Sequence, residues 1–188
     1  MLQQLKDRRI AILATDGFEQ SELVEPKNSL VEAGAQVDVV APKAGSIRGW
    51  QMDDWGDEVA VDVALGEADP ERYDALVLPG GVLNPDNLRA NSAAVGFVRY
   101  FFEQHKPVAA ICHGPWTLVE ADVLTGRRVT SYPSIRSDLI NAGAHWEDAE
   151  VVEDDGLVTS RSPEDLPAFN RKLIEVFSAD RATYQKTT

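Results

Sequence analysis

Short apolar runs alternate with amphipathic stretches along most of this chain. Ile10-Ala11-Ile12-Leu13-Ala14 predicts a buried strand. Thr15-Asp16-Gly17-Phe18 turns the chain, and Glu19 to Ala33 has a helical pattern. Leu23, Leu30 and Val31 stand at spacings of seven and eight, on one helix face. Pro26 is expected to kink this helix or delay its start, and Gly34 to stop it. Gln36 to Ala41 predicts a second strand, alternating at Val37 and Val39. A β-α-β order with short loops predicts a parallel crossover, hence an α/β sheet.

Residues 44–65 break the pattern. Ser46 to Trp55 mixes Gly, Trp and Asp, then Val59, Val61 and Val63 alternate, which predicts a short antiparallel excursion. Its Asp53, Asp54, Asp57 and Glu58 read as a solvated face. Trp50 and Trp55 are candidates for an oligomer contact, because Trp is enriched in interface cores.

Asp74 to Gly81 predicts another buried strand, ending in Pro79-Gly80-Gly81. Glycines there let backbone approach a ligand, although a plain tight turn would use them equally. Ser92 is a candidate cap for a helix through about His105, with Ala94, Val98 and Phe101 on one face. Pro115 to Ala121 reads as a helix and Arg127 to Ser131 as a short strand. Ser134 to Ala142 reads as a helix stopped by Gly143. Trp146 to Val152 and Leu157 to Ser160 read as strands joined by Asp154-Asp155-Gly156. Ser162-Pro163-Glu164-Asp165 opens a last helix, whose buried stripe is Leu166, Phe169, Leu173 and Val176.

One apolar run carries candidate chemistry. Pro107-Val108-Ala109-Ala110-Ile111 leads into Cys112, followed by His113-Gly114-Pro115. Pro suits the first position of a helix, so Cys112 falls on a sharp strand-to-helix turn. The helix N-terminus then favours a reactive thiolate. A buried cysteine acting as a small hydrophobe is the competing explanation.

Composition bounds the rest. The 188 residues suit a single domain, 1–188, with a full core. Eighteen basic against 31 acidic residues gives a formal charge of −13, which argues against nucleic acid or an anionic membrane as partner. One cysteine excludes an intramolecular disulfide and fits a reducing compartment. The N-terminal residues lack a secretory apolar core and no run approaches a membrane span, so a cytoplasmic protein is expected. Three His and one Cys are too scattered for a zinc signature; no metal or cofactor is expected.

Four motifs in this order resemble the DJ-1/PfpI superfamily: Asp16-Gly17-Phe18-Glu19, Leu78-Pro79-Gly80-Gly81, Ala110-Ile111-Cys112-His113-Gly114-Pro115 and Thr130-Ser131-Tyr132-Pro133. The likeness covers about residues 8–177 and is strongest to the PfpI-type intracellular proteases and bacterial general stress proteins. It implies a flavodoxin-like three-layer α/β/α sandwich with a mainly parallel sheet, as in class I glutamine amidotransferases. It implies a homodimer, in some members built into a hexamer. It implies Cys112 as nucleophile, Glu19 as the acid at the thiolate, and His113 as the catalytic histidine. Asp86 of the neighbouring subunit would orient that histidine. The backbone N–H groups of Gly81 and His113 would form the oxyanion hole.

The residues by themselves leave alternatives. Glu19 also suits a helix start as an acid favoured by the dipole. His113 also suits a polar role in the turn, and Tyr132 either lines the cleft or packs as an aromatic. Three functions are in play. One is a cysteine hydrolase, either a peptidase or a deglycase of glyoxal and methylglyoxal adducts, acting on peptide, glycated-protein or small-molecule substrates. Another is a redox or stress sensor through reversible oxidation of Cys112. The last is a glutaminase, for which His145-Trp146-Glu147 has the required His-x-Glu spacing.

Overall fold

Successive residues of a strand face opposite sides of its sheet. In the strand Arg9–Leu13 (β1), Ile10 and Ile12 join one core cluster while Ala11 and Leu13 join another. Two apolar faces require two covering layers, and the whole chain is arranged to supply them.

The computed structural model describes residues 3–179. After β1 come β2 (Phe18–Glu19), α1 (Gln20–Glu32), β3 (Gln36–Ala41), β4 (Ser46–Gln51), β5 (Asp54–Ala60) and β6 (Val63–Ala64). Then follow β7 (Ala75–Leu78), α2 (Leu83–Arg89), α3 (Ser92–Glu103), β8 (Val108–Ile111) and α4 (Pro115–Glu120). The chain continues with β9 (Arg128–Val129), α5 (Arg136–Asn141), β10 (His145–Trp146), β11 (Val152–Asp154), β12 (Leu157–Ser160) and α6 (Leu166–Ser178).

The main sheet has seven strands in the order β11-β12-β8-β7-β1-β3-β6. Every pair is parallel except β11 with β12. Helices α1 and α6 cover one face, through Leu23, Leu30, Leu166, Phe169 and Leu173. Helices α2 to α5 cover the other, through Leu88, Phe97, Val98, Phe101, Leu118 and Leu139. This is the expected three-layer sandwich. The strand order reverses between β1 and β7, so a crevice opens at the carboxyl ends of β1, β7 and β8. Among the described residues no helix is long and apolar enough to cross a membrane.

The excursion is present as an antiparallel β4–β5 pair, with β2 parallel to β4. Asp53, Asp54, Asp57 and Glu58 are all exposed on it. Trp50 and Trp55 meet edge to face at 5.4 Å, and Trp55 keeps 40% of its surface exposed. The β11–β12 hairpin turns at Asp155 and Gly156, both at positive φ, the geometry that two-residue hairpin loops require.

Several boundaries differ from expectation. Helix α1 starts at Gln20 and runs through Pro26, which neither delays nor ends it. Helix α3 is capped by Asn91, not Ser92: the Asn91 Oδ1 accepts from the N–H groups of Ala93 and Ala94. The stretch from Trp146 to Val152 is not one strand. Trp146 pairs with β9 outside the main sheet, while Val152 begins β11. Helix α2 was hidden because Gly80-Gly81 and Asn84-Pro85 are turn signals. Pro85 is tolerated there because it falls in the first helical turn.

Asn84, on α2, is completely buried. Its Oδ1 accepts from the Thr15 N–H at 2.8 Å, and its Nδ2 donates to the Pro79 and Gly80 carbonyls at 3.0 Å. One amide thus ties the turn after β1 to the turn after β7. Asn84→Ala removes this partner from the Thr15 N–H and the Pro79 carbonyl and leaves the Gly80 carbonyl with the Glu19 N–H alone. It is expected to cost about 2–4 kcal/mol, read as a lower urea midpoint with an unchanged slope.

Candidate active site

Strand β8 ends at Ile111, and Cys112 then takes φ of +62°, a left-handed conformation that few side chains adopt. The surrounding bonds hold it there. Its N–H donates to the Ser160 carbonyl at 3.0 Å, its carbonyl accepts from Tyr132 N–H at 2.9 Å, and Gly114 N–H closes the turn on the Ile111 carbonyl at 2.8 Å. Pro115 then opens α4, as expected. The side chain is left 7% exposed.

Gly80 and Gly81 admit the thiol. A Cβ on Gly80 would stand 2.6 Å from the Cys112 Cβ, closer than atoms pack, and Gly81 takes φ of +76°. The backbone N–H groups of Gly81 and His113, the two expected donors, both reach the cysteine sulfur.

The acid at that sulfur is Glu22, and here the expectation of Glu19 is corrected. Glu19 occupies the N-cap position of α1, where its carboxylate accepts from Ser21 Oγ at 3.5 Å and its backbone N–H donates to the Gly80 carbonyl. Its position is that of the helix-start alternative, although its side chain makes no cap hydrogen bond. Glu22 is one helical turn further on and wholly buried. Its Oε2 accepts from the Gly80 N–H at 2.8 Å, its Oε1 is buried without a hydrogen-bond partner among the described residues, and the carboxyl interacts electrostatically with the Cys112 thiol. A signal for Glu22 existed in the sequence: Glu22, Pro26 and Leu30 repeat every four residues along the buried side of α1.

Burial pushes the Glu22 carboxyl up to about 8, against an ordinary 4.5. Burial also pushes the Cys112 thiol up, and a charged Glu22 pushes it further, while the N–H groups of Gly81 and His113 pull it down. In the resting site burial therefore outweighs the helix N-terminus that the sequence suggested would acidify the thiol. Below pH 8 Glu22 is mostly protonated, so it does not repel the sulfur.

His113 and Cys112 do meet. The ring Nδ1 lies 3.1 Å from Cys112 Sγ, and Nε2 lies 3.1 Å from Ser134 Oγ. Tyr132 stacks on the ring at 4.8 Å, while Trp116 presents an edge at 5.3 Å. Of the two alternatives for Tyr132, packing is observed: it stacks on the His113 ring while keeping 41% of its surface exposed. Burial holds His113 below its ordinary value, hence neutral at pH 7.

Asp86 stands exposed in the first turn of α2, on the far side of Val82 and Leu83 from Gly81. Within the chain the imidazole in hydrogen-bond range of Sγ is that of His113. The glutaminase pair is used elsewhere: Glu147 binds Arg128 at 2.6 Å, and His145 lies exposed on β10. Among the described residues no cluster of three or more His, Cys, Asp or Glu side chains could hold a metal ion.

Glu22→Gln keeps a neutral donor at sulfur and removes the charge that forms above pH 8. The ratio of mutant to wild-type iodoacetamide alkylation is expected to grow on the order of tenfold between pH 6 and 9. Glu19→Gln is expected to leave the profile unchanged; a flat ratio for Glu22→Gln would remove it from the thiol's titration. The same shift acts on stability. Folded Glu22 holds its proton more tightly than unfolded, so its contribution is full below pH 4.5 and lost as pH rises through 8. The melting temperature of Glu22→Gln should therefore gain on wild type from pH 5 to 8.

Known proteins share both sequence and fold with this chain. A deglycase of Pyrococcus abyssi is 48% identical, over 89% of this chain and 98% of that one. General stress protein 18 of Bacillus subtilis is 45% identical, over 89% of this chain and 96% of that one. A two-domain protein of Anabaena variabilis, with DJ-1/ThiJ/PfpI-like and ferritin-like domains, superposes with a TM-score of 0.86 at 34% identity, over 97% of this chain and 52% of that one. The DJ-1/PfpI family model matches residues 8–176, and with these relatives it establishes that the chain belongs to the DJ-1/PfpI family.

Proposed function

We propose that this protein is a stress-response cysteine hydrolase whose nucleophile is Cys112, acting on the carbonyl carbon of peptides or on the carbinol carbon of glyoxal and methylglyoxal adducts. The observation that carries this is the 3.1 Å approach of His113 Nδ1 to Cys112 Sγ, with two backbone N–H groups reaching the same sulfur. A neutral imidazole at that distance can take the thiol proton as the thiol attacks. This removes the difficulty of a resting thiol held above its ordinary range: the thiolate is needed only at the moment of reaction. The N–H groups of Gly81 and His113, which favour the thiolate, would serve as donors to an oxyanion beside sulfur. On a peptide His113 then returns its proton to the leaving amine, and water cleaves the thioester; on an aminocarbinol adduct sulfur displaces the amine at the carbinol carbon, His113 protonates that amine, and the hemithioacetal left on Cys112 collapses to free thiol and dicarbonyl. Deglycase and general stress protein are the names of relatives at 48% and 45% identity.

A homodimer completes this scheme. Val82 and Leu83 are 53% and 46% exposed, and with Gly17 and Trp50 they line a cleft of about 380 Å³. That apolar surface adjoins Gly81 and favours a second copy of the chain, whose Asp86 would supply the carboxylate that orients His113. The location assigned is cytoplasmic, on the strength of the free thiol of Cys112.

Reversible oxidation of Cys112 is a second role, favoured by Glu22. A protonated carboxyl against sulfur can donate to the oxygen of a sulfenate or sulfinate.

Turnover of a peptide anilide and of a methylglyoxal adduct of N-acetylarginine tests the scheme. Cys112→Ser and His113→Ala are each expected to lose at least a hundredfold in kcat/KM. Full activity in either variant overturns the hydrolase assignment. Light scattering is expected to give at least a dimer at micromolar concentration. A monomer with full activity removes Asp86 from the mechanism. Mass spectrometry after peroxide treatment is expected to show one or two added oxygens on wild type and fewer on Glu22→Ala; equal oxidation would detach Glu22 from that role.

A further inference from the structure

We infer that Ser134 is a positioning residue for His113, fixing which ring nitrogen carries the proton. This role presupposes the cysteine–histidine chemistry proposed above. A neutral imidazole has one N–H, on either nitrogen. His113 can accept a proton from Cys112 only if Nδ1, the nitrogen at 3.1 Å from Sγ, is bare. The proton must then sit on Nε2 and needs an acceptor there. Ser134 Oγ is the polar atom in place, 3.1 Å from Nε2.

The ring cannot easily exchange its two nitrogens. Tyr132 lies against its face with planes only 25° apart, and Trp116 stands at its edge, anchored by its own Nε1 donating to Asp138 at 2.7 Å. The charged groups around the pair are few. Glu22 meets the sulfur, Asp138 binds Trp116, and the Arg89 guanidinium lies 5.5 Å over the Trp116 ring. None of these is the recorded partner of Nε2 itself.

Ser134 reaches this position because Pro133 opens a short 3₁₀ turn, Pro133–Ile135, immediately after Tyr132. The stacking residue and the hydroxyl are thus two places apart on one rigid segment. Ser134 is itself exposed. Its hydroxyl hydrogen is free to turn toward a further acceptor while its lone pair holds Nε2–H. Asp86 of a second copy would act on His113 through this hydroxyl or in its place.

The test uses the full chain with ¹⁵N-labelled histidine and the two substrates above. Wild type is expected to show His113 as the Nε2–H tautomer. Ser134→Ala is expected to show a tautomer mixture, a kcat lower on the order of tenfold, and an unchanged KM. Ser134→Thr keeps the hydroxyl and is expected to restore both readouts. With Asp86→Asn, a double-mutant cycle is expected to show coupling between the two sites. If Ser134→Ala keeps the pure Nε2–H tautomer and wild-type kcat while His113→Ala is inactive, the inference about Ser134 is overturned and the hydrolase assignment stands. If His113→Ala is itself fully active, the hydrolase assignment fails first.

Discussion

A carboxylic acid buried against a buried thiol is the constraint around which this site is built. Neither group tolerates its charge without water, and each charge would raise the cost of the other. The fold resolves this by keeping Glu22 protonated and by aiming backbone N–H groups at both. Gly80 N–H binds the Glu22 carboxyl, while Gly81 and His113 N–H groups reach the sulfur. Because side chains would block these approaches, the loop between β7 and α2 has to be Gly-Gly.

That loop depends on its supports. Asn84 bonds the Pro79 and Gly80 carbonyls on one side and Thr15 on the other. The carboxyl ends of β1, β7 and β8 are brought together by parallel pairing, register by register, and the crevice falls where the strand order reverses. Cys112 is then forced into a left-handed turn by bonds from three directions: Ser160 on β12, Tyr132 beyond β9, and the closing Gly114. The local strain of that residue is maintained by distant segments as well as by the turn that Gly114 closes.

The same packing sets the state of His113. Burial keeps the ring neutral, two aromatic side chains fix its plane, and Cys112 and Ser134 occupy its two nitrogens. Such an imidazole suits the proton-accepting role proposed for it, without a standing ion pair. The thiol consequently remains protected at rest behind a surface that is 7% exposed.

Much of this was legible in the chain. The apolar runs at 10–14, 36–41, 74–78 and 107–111 specified a two-faced parallel sheet, because only strands covered on both sides are apolar throughout. Cys112 before His113-Gly114-Pro115 specified the turn on which the proposed nucleophile sits, since Pro can open a helix but cannot continue a strand in a sheet centre. What sequence periodicity left ambiguous was which of two acids faces the thiol. Glu19 and Glu22 are three residues apart, and both suit the first turn of a helix. The start of α1 at Gln20 left Glu19 at the cap and turned Glu22 inward. The bonds of Ser134 to His113, Trp116 to Asp138 and Asn84 to Thr15 carry no local signature, because they span 21, 22 and 69 residues. Only the closure of the sheet brings such distant groups within hydrogen-bond range, so only the tertiary structure decided them.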